Sequence, residues 1–208
     1  MTMLQSDIPA TPTRFHKIAA CRELAQSDEC ILRRIANGDQ SALKVLVARY
    51  EVRVFRFVLR LIGDRRRAED LVSDTFLAVW QRAASFEGRS SVATWVLAIA
   101  RYKTLTARSQ LNPSEEPFTA ELADTLVDGG PAPDDNLAQQ DKSATIRKCI
   151  NALPKHHAEL MDLVYYHEKS IQEVALIVGI PENTVKSRMF LARRKLAELL
   201  IAEGVDRA

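Results

Sequence analysis

The sequence predicts an all-α protein made of two small helical domains joined by a flexible acidic linker, the second being a helix-turn-helix domain. Apolar residues recur at three- and four-residue steps over residues 28–108 and again over 141–208, which is the period of amphipathic helices. No segment outside these patterns alternates as a strand would. Residues 109–140 contain seven acidic and no basic residues, together with Pro and Gly, a composition that buries too little apolar surface to fold alone. Residues 1–27 are read as an N-terminal extension.

The charges are sorted along the chain, although the net charge is only +2. The first domain carries 15 Lys/Arg and 9 Asp/Glu, and the second carries 11 and 9. Two basic domains on either side of an acidic linker are compatible with nucleic-acid binding. No apolar run approaches the ~18 residues that span a bilayer, and the N-terminus lacks the basic-then-apolar order of a secretory signal. We therefore expect a cytoplasmic protein without membrane insertion.

The cysteines and histidines predict no metal site and no cofactor. Cys21, Cys30 and Cys149 are odd in number and far apart, so they indicate neither a disulfide framework nor a CxxC pair. Cys30 and Cys149 are expected to be buried thiols. One alternative is a metal sensor built from His156, His157, His167 and Cys149. Their spacing matches no standard zinc site, and adjacent histidines are expected to point apart on a helix.

The first domain is divided into helices by capping signals. A short apolar helix precedes a break at Gly38, and a longer helix follows. The basic stripe of this longer helix is expected to face solvent and consists of Arg49, Arg53, Arg56 and Arg60. Gly63 then suits a helix C-cap, and Asp64 suits the N-cap of the third helix.

The third helix presents an acidic and polar face in a basic domain. Its apolar positions are Val72, Phe76, Val79 and Trp80, which leaves Asp70, Ser73, Asp74 and Gln81 outward. A loop, SFEGRSS, comes next, and Ser91 is suited to cap a helix from Val92 to about Arg108. The polar side of that helix carries Arg101, Thr104 and Arg108.

The stretch SIQEVALIVGIPENTVKSRMFLARRKLAELL in the second domain predicts two helices separated by a break. Gly179 can take the positive φ of a helix end, and Pro181 stops the first helix. Asn183 or Thr184 can cap the second helix, which runs to Ala202. This is the helix-turn-helix arrangement.

A helical hairpin with an ordinary solvated face is the alternative to a DNA-binding unit. Residues 184–195 contain no acid, whereas a merely solvated face is expected to mix both signs. Short polar side chains flanked by cations suit a helix start that is inserted into the major groove. The pattern therefore favours DNA binding by the second helix.

Taken together, AEDLVSDTFLAVWQRAASFEGRSSVATWVLAIAR and SIQEVALIVGIPENTVKSRMFLARRKL, separated by an acidic linker, resemble a bacterial extracytoplasmic-function sigma factor. The resemblance implies a protein that binds core RNA polymerase, recognises the -10 and -35 promoter elements and initiates transcription of a stress or signal regulon. It implies no enzyme activity, and it implies control by an anti-sigma factor. Residues 28–108 would be sigma domain 2 and residues 141–208 sigma domain 4, with residues 109–140 threading through the polymerase.

Carried over by position, the resemblance implies three sets of contact residues. The set that docks on the clamp of the largest polymerase subunit is Asp70, Ser73, Asp74 and Trp80. The set that contacts the -10 element as a single strand is Phe86, Arg89, Ser90, Trp95, Arg101, Tyr102 and Arg108. The -35 set is Asn183, Thr184, Lys186, Ser187, Arg188, Phe190 and Arg193. Trp95 is expected to support the -10 pocket from the core rather than to stack on DNA.

The sequence departs from the common family pattern at Tyr102, where relatives often have Asn, and at Leu191, where several have a cation. Two roles are open for Phe190, which are packing in the protein core and an apolar contact in the DNA groove. Two other classes remain as alternatives, a LuxR-type or response-regulator-like factor that binds duplex DNA as a dimer, and a regulatory protein-interaction module. The dimeric class has no use for the acidic face at Asp70 and Asp74 or for the Arg101 helix. The interaction module would be favoured if acids interrupted the basic face of the last helix, and residues 184–195 contain none.

Overall fold

The computed structural model describes residues 27–111, 145–146 and 148–204, and these residues contain helices and no strand. A first helical unit consists of α1 (Asp28–Ala36), α2 (Gln40–Ile62), α3 (Arg65–Arg82), a 3-10 turn (Ala83–Ser85) and α4 (Val92–Leu111). A second helical unit consists of α5 (Lys155–Met161), a π-helical turn (Asp162–Tyr166), α6 (Ile171–Val178) and α7 (Glu182–Ala202). The predicted all-α fold is confirmed. Nearly all of the predicted N-terminal extension and acidic linker lies outside the described residues.

Local capping chemistry sets the helix ends of the first unit. Asp39 accepts the amides of Ser41 and Ala42 at the start of α2. The α2 helix ends at Gly63 with φ 73°, and Asp64 accepts the Arg67 amide at the start of α3. Positive φ is nearly free of strain only for glycine, so the predicted Gly63 and Asp64 caps are confirmed.

The first unit is a helical bundle in which α2 packs against α1, α3 and α4. Its core contains the fully buried Leu46, Val54, Phe57, Val58 and Val79. At roughly 1.5–3 kcal/mol for each large apolar side chain removed from water, this burial dominates the stability of the bundle. The predicted apolar faces of the first three helices are therefore confirmed.

The second unit contains the predicted helix-turn-helix. Ser170 and Glu173 form a reciprocal capping box at the start of α6, and Gly179 ends α6 with φ 74°. Val174 and Ile177 of α6 are buried in a common core with Val185, Met189 and Ala192 of α7. One detail of the prediction was wrong. The N-cap of α7 is Pro181, so the helix begins at Glu182 and neither Asn183 nor Thr184 caps it.

The two units pack against each other, α4 against α6 and α2 against α5. The basic stripe of α2 is exposed as expected, but two of its arginines also contact the second unit. The Arg60 guanidinium lies 3.0 Å from the buried carboxylate of Asp162, and Arg56 donates a hydrogen bond to the Tyr166 hydroxyl. Within the described ranges no helix is both long and apolar enough to cross a membrane.

Candidate protein and nucleic-acid interfaces

The outer face of α3 is acidic and polar, as predicted. Asp70, Ser73 and Asp74 are exposed and lie one turn apart, so the two carboxylates point into solvent side by side. Leu77, one turn further on, is 55% exposed and was missed by the sequence analysis. The signal was available, because position 77 continues the same helical row as 70, 73 and 74. Trp80 is partly buried against the core and lies at the edge of this face.

The loop between α3 and α4 is fixed at both ends. Phe86 packs on Trp95 with the ring centroids 5.3 Å apart and the planes tilted by 59°. Ser91 accepts the Thr94 amide at 3.3 Å, which confirms its predicted role as the cap of α4. Both aromatic rings are partly buried. The arrangement agrees with the expectation that Trp95 supports the loop from the core side.

The exposed parts of this loop and of α4 can meet a partner directly. Arg89 is exposed and pairs with Glu87 at 2.9 Å, and Ser90 is half-buried. Tyr102 is 63% exposed. A pair this exposed stabilises little and is readily exchanged for another anion.

Arg101, predicted to contact the -10 strand, does not point freely into solvent. Its side chain is only 13% exposed, and its Nε donates to Glu159 of the second unit at 2.6 Å. Arg108, one of the predicted contacts, is half-buried. The assignment of Thr104 to the polar side of α4 was wrong, because Thr104 is fully buried and its hydroxyl donates to the Ala100 carbonyl at 2.8 Å.

Glu159 is a carboxylate that is buried in the contact between the two units. Burial raises the pKa of this carboxyl, and the nearby Arg101 guanidinium opposes that rise. The side chain is 1% exposed. Removing a carboxylate from water is costly unless a cation replaces the lost hydration, so the charged form of Glu159 depends on Arg101.

A second carboxylate, Glu173, reaches from α6 to the start of α4. Its Oε1 accepts hydrogen bonds from the Thr94 hydroxyl at 2.5 Å, the Ser91 hydroxyl at 3.0 Å and the Lys169 ammonium at 3.0 Å. Burial alone would raise the pKa of Glu173, but hydrogen bonds from Thr94, Ser170, Lys169 and Ser91 lower it to about 2. The carboxylate is therefore ionised at the N-terminus of α4, where the helix dipole also favours a negative charge.

The outer face of α7 is basic and contains no acid between Thr184 and Lys195. Its exposed members from the predicted -35 set are Asn183, Lys186, Ser187, Phe190 and Arg193. Phe190 is 66% exposed, which removes the packing role that the sequence left open for it. Thr184 is half-buried beside this face.

Arg188, also predicted to contact the -35 element, is half-buried in the contact between the units. It lines a cavity of about 240 Å³ together with Arg101, Glu159 and His156. Burial lowers the pKa of His156 to about 4, and the charges of His157 and Arg188 lower it further. Residues predicted for two different DNA elements thus line one cavity.

The residues of the alternative metal sensor, His156, His157, His167 and Cys149, all lie in the described part of the chain. His156 and His157 do not point apart as predicted, since their ring centroids are 4.2 Å apart in an edge-to-face contact. His167 lies elsewhere, with Nε2 3.3 Å from Asp162. Among the described residues no group of three or more His, Cys, Asp or Glu side chains could hold a metal ion. Cys149 is buried as expected, whereas Cys30 is only partly buried.

Comparison with known proteins gives two family matches, one for each helical unit. Residues 46–112 match Sigma-70 region 2, and residues 143–196 match Sigma-70 region 4. The RNA polymerase sigma-H factor of Pseudomonas aeruginosa is 26% identical over 183 residues, covering 84% of this chain and 94% of that protein. The ECF RNA polymerase sigma factor SigW of Bacillus subtilis is 28% identical over 177 residues, covering 81% and 94%.

A solved structure agrees with these matches. The sigma factor RpoE from Bartonella quintana, in complex with the anti-sigma factor NepR, is 28% identical with a TM-score of 0.58 and covers 79% of this chain and 98% of that chain. Both family models match in the order that the two motifs follow in the sequence, and the relatives are covered nearly end to end. The chain therefore belongs to the extracytoplasmic-function sigma factors of the sigma-70 family.

Proposed function

We propose that this chain binds core RNA polymerase, recognises the -10 and -35 promoter elements and initiates transcription of a stress or signal regulon under the control of an anti-sigma factor. The main support for this proposal is that two exposed faces of opposite charge lie on separate helical units. An acidic face followed one turn later by the exposed Leu77 is on α3, and an acid-free basic face is on α7. The domain boundaries follow the two units, with residues 28–108 as sigma domain 2 and residues 141–208 as sigma domain 4.

The α3 face suits a basic protein surface and is a poor surface for DNA. Asp70 and Asp74 would steer and orient the clamp of the largest subunit, since interfacial charges contribute to association rate and register more than to affinity. Leu77, exposed between them and Gln81, adds the apolar contact that an interface centre needs. Trp80 supports this face from its edge.

The loop and α4 suit a melted -10 strand. The loop residues Phe86 and Ser90, with Trp95 behind them on the core side, would receive an unpaired base, and stacking or enclosure of a base offsets part of the unstacking energy. The phosphates of that strand would be contacted by Arg89, Arg101, Tyr102 and Arg108. In this proposal the loop residues determine the base preference at the -10 element, because contacts between cations and phosphates carry no sequence information.

The α7 face suits the major groove at the -35 element. Asn183 and Ser187 reach base edges from the helix start, while Lys186, Arg188 and Arg193 contact phosphates or guanine. Phe190 supplies an apolar contact, for which a thymine methyl group is the matching surface. Thr184 lies at the margin of this contact.

The decisive experiment is transcription in vitro with this chain as the only sigma factor added to core polymerase. Transcripts are expected only when both are present. The same chain alone should bind promoter duplex weakly. Tight stand-alone binding to a palindromic duplex would instead favour a dimeric activator and contradict the proposal.

The α3 assignment is tested by Asp70→Lys with Asp74→Lys. We expect association with core polymerase to be lost while the far-UV circular dichroism stays unchanged, because both side chains are exposed. The matched control is Glu29→Lys with Glu51→Lys, which makes the same charge change at exposed positions of α1 and α2. Unchanged association of the α3 variant, or equal loss in the control, would remove the clamp assignment.

A further inference from the structure

The π-helical turn between α5 and α6 presents two adjacent tyrosines to solvent. In this turn, Asp162–Tyr166, the His167 amide donates to the Asp162 carbonyl at 3.0 Å. Because a π-helix bonds residue i to i+5 instead of i+4, the position that returns to the core is His167, which is 6% exposed. Tyr165 and Tyr166 are left outside, with 59% and 48% of their surface exposed.

Each of these tyrosines lies against one arginine of a different helix. The guanidinium carbon of Arg193 on α7 is 5.7 Å from the centroid of the Tyr165 ring. The guanidinium carbon of Arg56 on α2 is 5.6 Å from the centroid of the Tyr166 ring. Both distances are within the ~6 Å over which the face of an aromatic ring attracts a cation. The first pair therefore joins the π-helical turn to the basic face of α7.

The Tyr165 ring is the one group that holds the Arg193 guanidinium within the described part of the chain. The neighbouring cations of α7 are held differently, since Arg194 and Lys195 both pair with Glu198. A long side chain without a partner occupies many rotamers and loses that freedom when it binds. Contact with the ring restricts the orientations of Arg193 before DNA is bound.

This contact leaves the hydrogen-bonding capacity of Arg193 available. A cation is attracted by the electron-rich face of a ring without needing a hydrogen bond to it. The guanidinium N–H groups can therefore still donate to phosphate oxygens, and phosphate contacts fix the register of a protein on a duplex. A carboxylate partner, such as Glu159 for Arg101, instead takes up both donors and charge.

We propose that Tyr165 is a positioning residue for the -35 contact, which holds Arg193 in the orientation that meets the phosphate backbone of the duplex and does not itself touch the DNA. The inference rests on the proposed function and adds a residue that lies outside the -35 set predicted from the sequence. The aromatic ring has this role and the hydroxyl has none. Because a cation–π contact at an exposed site is weak, its loss changes affinity by a few-fold.

The test measures binding of the full chain to a short fluorescent duplex of mixed sequence by anisotropy, at several salt concentrations. Mixed-sequence DNA reports phosphate contacts, which carry no sequence information. Tyr165→Phe keeps the ring, Tyr165→Leu keeps apolar bulk without a ring, and Tyr165→Ala removes both. Arg193→Met removes the charge. The matched control is Tyr166→Ala, which removes the neighbouring exposed ring, whose arginine is on α2.

We expect Tyr165→Ala and Tyr165→Leu to weaken binding about two- to fivefold, and Tyr165→Phe and Tyr166→Ala to bind like the wild type. The slope of log affinity against log salt should stay unchanged in Tyr165→Ala, because the phosphate contact is still made. Arg193→Met should reduce that slope by about 0.9, the value for one phosphate contact. In the Arg193→Met background, Tyr165→Ala should have no further effect, since the two residues act as a unit.

Three results would overturn the positioning role. They are wild-type affinity in Tyr165→Ala, a Tyr165→Phe variant as weak as Tyr165→Ala, and an equal loss from Tyr165→Ala with and without Arg193. Far-UV circular dichroism checks the fold of each variant, and no change is expected because both tyrosines are exposed. If Tyr165→Ala loses helix, Tyr165→Leu takes its place in the comparison.

The outcome is separable from that of the proposed function, because the duplex measurement needs no polymerase. If the wild-type chain with core polymerase gives transcripts while Tyr165 and Arg193 show no coupling, the positioning role is wrong and the sigma function stands. If transcripts are absent while the coupling is measured, the sigma function fails and Tyr165 still positions Arg193 on duplex DNA.

Discussion

Gly179, at the turn of the helix-turn-helix, allows a prediction whose magnitude follows from geometry. Its φ of 74° and ψ of 33° lie in the left-handed region, and its amide donates to the Ala175 carbonyl at 2.8 Å. A Cβ built on Gly179 meets nothing within 4 Å. Replacement by alanine therefore creates no clash with neighbours, and only the backbone strain of the left-handed conformation remains.

That strain is about 1–2 kcal/mol for a residue with a Cβ. The reduced freedom of the unfolded chain returns about 0.4–1 kcal/mol, so Gly179→Ala should destabilise the protein by about 1 kcal/mol. Gly179→Asn should cost less because asparagine tolerates this conformation, and Gly179→Val should cost more because its side chain is β-branched. The three variants are therefore predicted to lose stability in the increasing order Gly179→Asn, Gly179→Ala, Gly179→Val.

Thermal unfolding followed by circular dichroism measures the series. A loss of about 1 kcal/mol lowers the Tm of a unit of this size by about 4–8 °C. The control is Gly204→Ala, which has the same φ of 74° and the same open space but lies beyond the last turn of α7, where fraying reduces the effect. An unchanged or raised Tm for Gly179→Ala, or an asparagine variant as unstable as the valine variant, would refute the left-handed turn.

Three other measurements test further parts of the structure. The pKa of His156 is lowered from 6.5 to about 4, so the folded state resists protonation of this side chain. The free energy of unfolding should therefore be highest above pH 6.5 and should fall as the pH drops toward 4. In urea titrations at several pH values, His156→Gln should make the free energy of unfolding depend less on pH. Arg101→Ala leaves the buried Glu159 without its guanidinium, a loss of up to about 3–5 kcal/mol, and Glu159→Gln in the same chain should restore part of it in a double-mutant cycle. Phe190→Ala should reduce transcription from the cognate promoter while changing the free energy of unfolding by no more than about 0.5 kcal/mol. The control is Ile201→Ala, whose side chain is also 66% exposed and which should reduce neither transcription nor stability.

The features that the sequence predicted correctly are those decided within a few residues. Gly63 and Asp64, Ser91, and Gly179 mark helix ends because their conformational freedom or side-chain oxygens act on backbone groups one to three positions away. The acidic face of α3 follows from helical spacing alone. The sequence left Phe190 open between packing in the core and an apolar contact in the groove, and the structure shows that it is exposed.

The features that the sequence analysis missed depend on contacts between the units. Nothing in the spacing of Arg56 or Arg60 distinguishes a solvated arginine from one that meets another helix. Glu173 was detectable as part of a Ser-x-x-Glu capping box, but its second set of donors at the start of α4 is 79 and 82 residues distant. Burial of Glu159 had no local signal, since acids are seldom buried without a partner.

These misses share a physical cause that bears on mechanism. Arginine and hydroxyl groups donate hydrogen bonds to carboxylates and to phosphates with the same geometry. The presence of such residues in a sequence therefore predicts a contact with an acidic protein surface as well as it predicts a contact with DNA. Sequence reasoning assigned Arg101 and Arg188 to DNA, and the structure places both in the contact between the units. The two assignments are compatible if the partners alternate. For these cations to contact DNA as proposed, they must leave the contact between the units, where Glu159 holds Arg101. The free-energy cost of leaving that contact includes exposing apolar surface to water, because the buried side chains of both units belong to one hydrophobic core.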